Sequence, residues 1–212
     1  MAYRQPARTT TRRIRIRWIR VAGLVVVIAA IAAALGHQLP ASPSSTAASP
    51  IAVPRNEHRG ALGEAGGAVP DGATVFDDEI PGVAKLDSDL LGALRRAATD
   101  AATDGVEFYV DSGWRSPEYQ EHLLQEAVSK YGSEAEAGRW VATPNTSAHV
   151  SGDAVDIGHV DATAWLSAHG SEYGLCQIYG NEPWHYELRP QAVAHGCPPM
   201  YSDPTSDPRM QQ

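Results

Sequence analysis

The stretch Ser147-Ala-His149-Val-Ser-Gly152-Asp-Ala-Val-Asp156 constrains this chain more than any other, and Glu182-Pro-Trp-His185 answers it further on. Together they supply two imidazoles and two carboxylates, the inventory of a catalytic zinc site in which three groups bind metal and one moves protons. Gly152 lies between His149 and Asp156, so a loop can turn there and aim both side chains at one point. Zinc accepts imidazole nitrogen and carboxylate oxygen at about 2.0–2.2 Å. His185 could complete three protein ligands and leave the fourth position to water, as a catalytic rather than a closed structural site requires. Pro183 makes a regular helix from Glu182 to His185 unfavourable. The pair is therefore not a helical HExxH motif but a turn entering a strand, where Glu182 can face the water as general base and pass the proton to a leaving amine. Taken singly, either motif also suits a surface or capping role. His37, His58, His122, His159, His169 and His195 have no such context, His159 coming nearest by its proximity to Asp156.

The elements that must deliver these groups show in the periodicity. Leu90, Leu91, Leu94, Ala97, Ala98 and Ala101 fall at helical spacing over 86–102, with Asp87 or Ser88 as cap and Gly105 as stop. Val106 to Val110 alternates and is rich in β-formers, which predicts a strand leading to Arg115 at its end. Ser116-Pro117 is a cap followed by proline in the first turn, and the helix it starts ends at Gly132. A shorter helix is expected over 133–141. A loop at 143–146 delivers the opening motif, 154–157 forms a short strand, and Asp161 caps a helix to about His169. Residues 174–179 and 184–188 read as a hairpin around Gly180-Asn181. Helices first and antiparallel strands around the polar cluster give an α+β domain.

Charge divides the chain. Seven arginines lie within the first 20 residues, and no acidic residue precedes Glu57. Setting those seven aside turns the formal −8 of the whole chain into −15 for the remainder, a poor partner for a polyphosphate backbone, so nucleic acid is not expected. Residues 21–35 form an uncharged apolar run behind the basic flank, an export signature with the arginine end held inside. Fifteen residues is short for a span and sits at the upper edge of a signal core. Ala32, Ala33 and Ala34 would suit a signal peptidase, and Thr11-Arg12-Arg13 faintly resembles a twin-arginine signal. A cleaved signal and a retained single-pass anchor both fit. The expected organisation is a basic segment with signal or anchor over 1–36 and a Pro/Ser/Gly/Ala-rich linker over 37–74. A folded domain over 75–198 and a polar tail over 199–212 with no evident role complete it. Cys176 and Cys197 are not in a CxxC pair, and an even count in an exported domain predicts one disulfide. Closing a loop of about 20 residues, it would contribute roughly 3 kcal/mol.

Ser147-x-His149-x-x-Gly152-x-Ala154-x-Asp156 with Glu182-x-Trp184-His185 resembles the zinc D-alanyl-D-alanine carboxypeptidases of the VanY type, within the group that includes lysostaphin-type endopeptidases and the hedgehog signalling domain. Gly113-Trp-Arg115-Ser116-x-x-x-Gln120 looks like that family's third signature, and the resemblance covers about 85–190. It implies N-terminal helices packed on a small antiparallel sheet that carries the site. His149, Asp156 and His185 would bind one zinc ion per chain, Glu182 would be the catalytic base, and Arg115, Gln120 and Ser147 would handle the substrate's terminal groups. Arg115, always charged and fork-shaped, suits a terminal carboxylate or a developing oxyanion. Trp184 and Tyr186 are expected to pack or wall the cleft, and Trp114 to belong to the core.

The expected activity is removal of the terminal D-alanine from peptidoglycan stem peptides outside the membrane by a monomeric enzyme. An L,D-carboxypeptidase or a wall endopeptidase would use the same zinc machinery. A non-catalytic wall-binding module that keeps zinc for structure is the rival from another class, and Glu182 argues against it, since a structural site needs no base. No Gly-rich phosphate loop supports a nucleotide enzyme.

Overall fold

The computed structural model describes residues 60–211. The basic segment, the apolar run and the Pro/Ser-rich part of the linker lie outside the described residues. Among the described residues no helix is long and apolar enough to cross a membrane.

The core is built on helix α1, Ser88–Thr103, whose N-terminus is capped by Asp87 accepting from the Asp89 and Leu90 amides. Leu90, Ala93, Leu94, Ala97, Ala98 and Ala101 make its buried stripe. Four of these six are alanine, which lets the helix approach the sheet closely. Gly105, at φ 77°, turns the chain out of α1, and the Val106 amide closes the helix end on the Ala101 carbonyl. That use of Val106 delays the strand expected at 106–110. Strand β1 is Val110–Ser112 instead, with Tyr109 making only an isolated bridge to Thr74.

Helix α2, Pro117–Tyr131, begins at Ser116, whose hydroxyl accepts from the Tyr119 amide, and ends on Gly132. Of the helix expected over 133–141 only the turn Glu134–Ala137 forms; beyond it Trp140 stacks on Tyr131, with ring centroids 5.9 Å apart. A single turn α3, Ala148–Ser151, leads through Gly152 to strand β2, Ala154–Ile157. Helix α4, Val160–His169, starts one residue before Asp161, which lies in the first turn and bonds the Ala162 amide rather than capping the helix. Strands β3, Leu175–Gln177, and β4, His185–Leu188, complete the sheet. Its order is β1-β2-β4-β3, antiparallel throughout. This is the α+β arrangement expected.

Alternation sorts the sheet into two faces. Val155, Ile157, Tyr186 and Leu175 join α1 and Leu166 of α4 in one apolar cluster. Asp156, His185 and Glu187 belong to the other face, with Asp156 and His185 directly paired across β2 and β4.

The ordered body begins upstream of Val75. The Gly66 carbonyl accepts from the Ser116 amide at 2.8 Å, Ala73 accepts from Val110 at 2.8 Å, and Val69 packs on the core. A Gly/Ala composition cannot bury much side-chain surface, so the sequence reads as a tether. Here backbone contact docks it: Gly67, at φ 107°, lies so close to Trp114 that a Cβ would meet its carbonyl oxygen at 2.2 Å.

The tail beyond Pro198 is also structured. Cys176 and Cys197 are joined by a disulfide with Cα atoms 5.6 Å apart. Tyr201 donates to the Ile178 carbonyl and accepts from the Gly180 amide. Arg139 donates to Asp203, and Arg209 reaches Glu187 on β4. The bonds that hold this segment are to partners more than 20 residues away in sequence, which composition does not reveal.

Candidate metal centre

Three elements converge on one point. His149 comes from α3, whose exit is fixed by Gly152 at φ 84°, its carbonyl accepting from the Asp87 amide at 2.9 Å. A Cβ at Gly152 would meet the Lys85 carbonyl oxygen at 2.7 Å, so only glycine fits the clasp between this turn and the start of α1. Asp156 and His185 come from the paired centres of β2 and β4.

The donor atoms form a nearly equilateral triangle. His149 Nε2 lies 3.3 Å from His185 Nδ1 and 3.4 Å from Asp156 Oδ1, and His185 Nδ1 lies 3.2 Å from the same oxygen. Ligand atoms at about 2.0–2.1 Å from a tetrahedral ion stand about 3.3–3.4 Å apart. The three residues can therefore hold one metal ion with little movement. Each is oriented from behind. His149 Nδ1 is 2.8 Å from the Gly113 carbonyl, which can only accept, so Nδ1 carries the proton and Nε2 keeps its lone pair. His185 Nε2 lies 3.3 Å from Glu187 Oε1. Asp156 Oδ2 accepts from Arg115 Nη2 at 2.9 Å.

The electrostatics follow from burial. Burial, then the Arg115 charge, pushes the His149 imidazole down, which favours the neutral form a metal needs. Burial pushes Asp156 up, but His149, His185 and Arg115 outweigh it and hold the carboxyl well below 3.8. Burial also acts against a charged His185, but hydrogen bonds and charge from Asp156 and Glu187 prevail and lift it to about 9.

Glu182 is 5% exposed, with Oε2 3.7 Å from His185 Nδ1 and Oε1 buried without a hydrogen-bond partner. Burial pushes its carboxyl up to about 7, a value suited to taking and giving a proton near neutrality. Arg115 lines the same cleft, its Nε on Ser112, Nη1 on Gln120 and Nη2 on Asp156. Gln120 is 1% exposed and its amide is committed at both ends, to Arg115 and to the Ala142 carbonyl. It lines the same cleft and braces the Arg115 guanidinium. Ser147 lines the cleft and makes no side-chain cap bond to α3.

Trp184 is 39% exposed at the cleft, whereas Tyr186 points into the core and donates to the Thr163 carbonyl. Lys85 Nζ sits 3.7 Å over the half-buried Trp114 ring. His159 is exposed and packs on Tyr109, away from the centre.

The model of the VanY family, D-alanyl-D-alanine carboxypeptidase, matches residues 83–191, just over half of the 212 residues. The chain belongs to the VanY family. The match takes in the triangle, Glu182 and Arg115, but neither Cys197 nor the structured tail. A D-alanyl-D-alanine carboxypeptidase of Enterococcus faecalis is 35% identical over 111 residues, covering 41% of this chain and 41% of that protein. The chain thus spans about two-fifths of the length of that curated relative. Among solved structures, a mutant of the vancomycin resistance D,D-pentapeptidase VanY from the VanB-type cassette, in complex with Zn(II), is 30% identical. It covers 49% of this chain and 72% of that one, with a TM-score of 0.46. VanYB in complex with D-alanine-D-alanine is 29% identical over 52% and 74%, with a TM-score of 0.48. The LdcB LD-carboxypeptidase is 25% identical over 60% and 70%, also at 0.48.

Sequence reasoning missed three contributors to the centre: the Gly113 carbonyl, Glu187 and Arg209. Glu187 could have been found, since it lies two residues beyond His185 on a strand and so shares its face. Arg209 gave no signal.

Proposed function

We propose that this VanY-family domain is a zinc-dependent D-alanyl-D-alanine carboxypeptidase that hydrolyses the terminal D-alanine from peptidoglycan stem peptides. The observation that carries the reading is the triangle of His149, Asp156 and His185 at 3.2–3.4 Å with the unpaired Glu182 Oε1 beside it. Zinc held by these three residues supplies the positive charge that polarises a peptide carbonyl and makes water acidic. Glu182 takes the proton of the attacking water and returns it to the nitrogen of the leaving D-alanine. Arg115 supports Asp156 and presents positive charge to the cleft, where it can meet the terminal carboxylate or the developing oxyanion. Ser147 offers a hydroxyl to the same substrate end. All three ligands come from one chain, so a monomer suffices. The disulfide supports an extracytoplasmic setting, where the wall substrate lies.

Digestion of purified pentapeptide muropeptides with the zinc-loaded protein tests this. The expected product is lighter by one alanine. Loss of alanine from a tetrapeptide instead would make it an L,D-carboxypeptidase, and scission of a crosslink an endopeptidase. Zinc binding with no release of alanine from any stem peptide overturns the enzyme reading in favour of a wall-binding module.

A further inference from the structure

The outer support of His185 reaches the far end of the described chain. His185 faces the would-be metal through Nδ1, so its Nε2 must hold a proton and have somewhere to donate it. Glu187 Oε1 lies 3.3 Å from that nitrogen, and Glu187 is fully buried. A buried carboxylate needs paired charge. Arg189 Nη2 donates to Oε2 at 2.6 Å, and Arg209 grips both oxygens, Nη1 to Oε2 at 2.7 Å and Nη2 to Oε1 at 3.1 Å. Two parallel donors from one guanidinium fix the plane of the carboxylate as well as its charge.

Arg209 is itself held in place. Asp207, also fully buried, accepts from Arg209 Nε and from its backbone amide, and accepts from the Tyr179 hydroxyl at 3.1 Å. The Tyr179 ring packs against His185, with centroids 5.0 Å apart. Two carboxylates and two guanidinium groups thus close a neutral cluster behind His185, and one member of each sign comes from the tail. Cys176 is the register partner of Glu187 on β3, and its disulfide to Cys197 starts the tail from that same point.

We propose that Glu187 and Arg209 are positioning residues of the metal centre: Arg209 fixes Glu187, Glu187 fixes the His185 ring, and the C-terminal segment thereby sets how tightly the ion is held. The inference rests on the reading of His149, Asp156 and His185 as metal ligands.

Zinc affinity of the full chain, measured by chelator competition, tests it without reference to turnover, with the melting temperature of each metal-free variant recorded alongside. Arg209→Met is expected to weaken zinc binding about 10- to 100-fold, the range of lost outer-shell partners. Glu187→Ala is expected to do the same. Arg209→Lys, which keeps the charge but not the fork, should recover part of the loss. Arg139→Met, which removes the tail's other ion pair with Asp203, controls for tail attachment and should leave zinc affinity within about twofold. Folded Arg209→Met and Glu187→Ala proteins that bind zinc like wild type would overturn the inference alone. A wild-type protein that binds no zinc would overturn the site reading with it. Equal weakening by Arg139→Met would reduce the effect to loss of the tail as a structural unit and so also overturn it. If Arg209→Met does not fold, Glu187→Gln carries the same test in an almost isosteric side chain.

Discussion

Arg115 Nη2 stands 2.9 Å from Asp156 Oδ2, while the other oxygen of that carboxylate faces both imidazoles. One guanidinium therefore braces a proposed metal ligand and lines the cleft at the same time. Replacing Arg115 by alanine should weaken zinc binding about tenfold. At saturating zinc it should still lower kcat/KM on a pentapeptide by about 100-fold or more, because the charge that meets substrate is gone. Arg115→Lys should restore part of the zinc affinity and less of the turnover, since lysine cannot span Ser112, Gln120 and Asp156 together. Equal recovery of both would separate Arg115 from the substrate.

Glu182 differs from the three proposed ligands in having an unpaired oxygen. Glu182→Gln should retain zinc within a few-fold and lose about 100-fold or more in kcat. Zinc content by atomic absorption and alanine release on one preparation distinguish this from loss of the metal. Loss of zinc in proportion to activity would make Glu182 a fourth ligand.

Gln120 tests whether the bracing of Arg115 matters. Gln120→Ala leaves both Arg115 Nη1 and the Ala142 carbonyl without their partner. Stability should fall by about 1–3 kcal/mol in chemical unfolding, the cost of unmet buried polar groups. The loss of turnover should be smaller than for Arg115→Ala, because the guanidinium keeps two of its bonds.

The tail carries an acid sensitivity of its own. Burial pushes Asp207 up, but the Arg209 and Tyr179 bonds outweigh it and leave its carboxyl below 3.8. A group depressed in the folded state stabilises it above its ordinary value and loses that contribution as pH falls. The stabilisation is thus complete near neutrality, begins to fade as pH nears 3.8, and disappears below the depressed value. Tail attachment, followed by proteolysis at 199–211 under non-reducing conditions, should weaken over that acid range and be insensitive to pH between 6 and 8. Asp207→Asn should reduce the dependence without abolishing it, because Asp203 and Glu187, also held low by their partners, anchor the tail as well.

The parts of the fold that rest on periodicity and capping were legible in the chain. The stripe from Leu90 to Ala101 predicts α1, and Ser116-Pro117 with Gly132 marks both ends of α2. The residues of the triangle stood out in the chain because glycine and proline punctuate them. The rest rests on contacts that carry no local signal. Val106 reads as strand but closes a helix, because the demand of the α1 terminus outweighs β-propensity. Gly66 and Gly67 read as tether because their docking uses backbone alone. Arg209 reads as a solvated charge, and only the buried Glu187 far from it in sequence gives it a purpose.

Asp156 and His185 stand opposite each other because Val155 and Tyr186 do. A slip of one residue of β4 against β2 would turn His185 toward Leu90 and Leu94 and bring Tyr186 out beside Asp156, parting the two proposed ligands onto opposite faces. Neither face could tolerate the exchange. The chain therefore has its core and its centre together or has neither, with no gradual path between them. Any selection that merely keeps this domain from unfolding also preserves the alignment of its chemistry, even in a lineage where the reaction itself has ceased to matter.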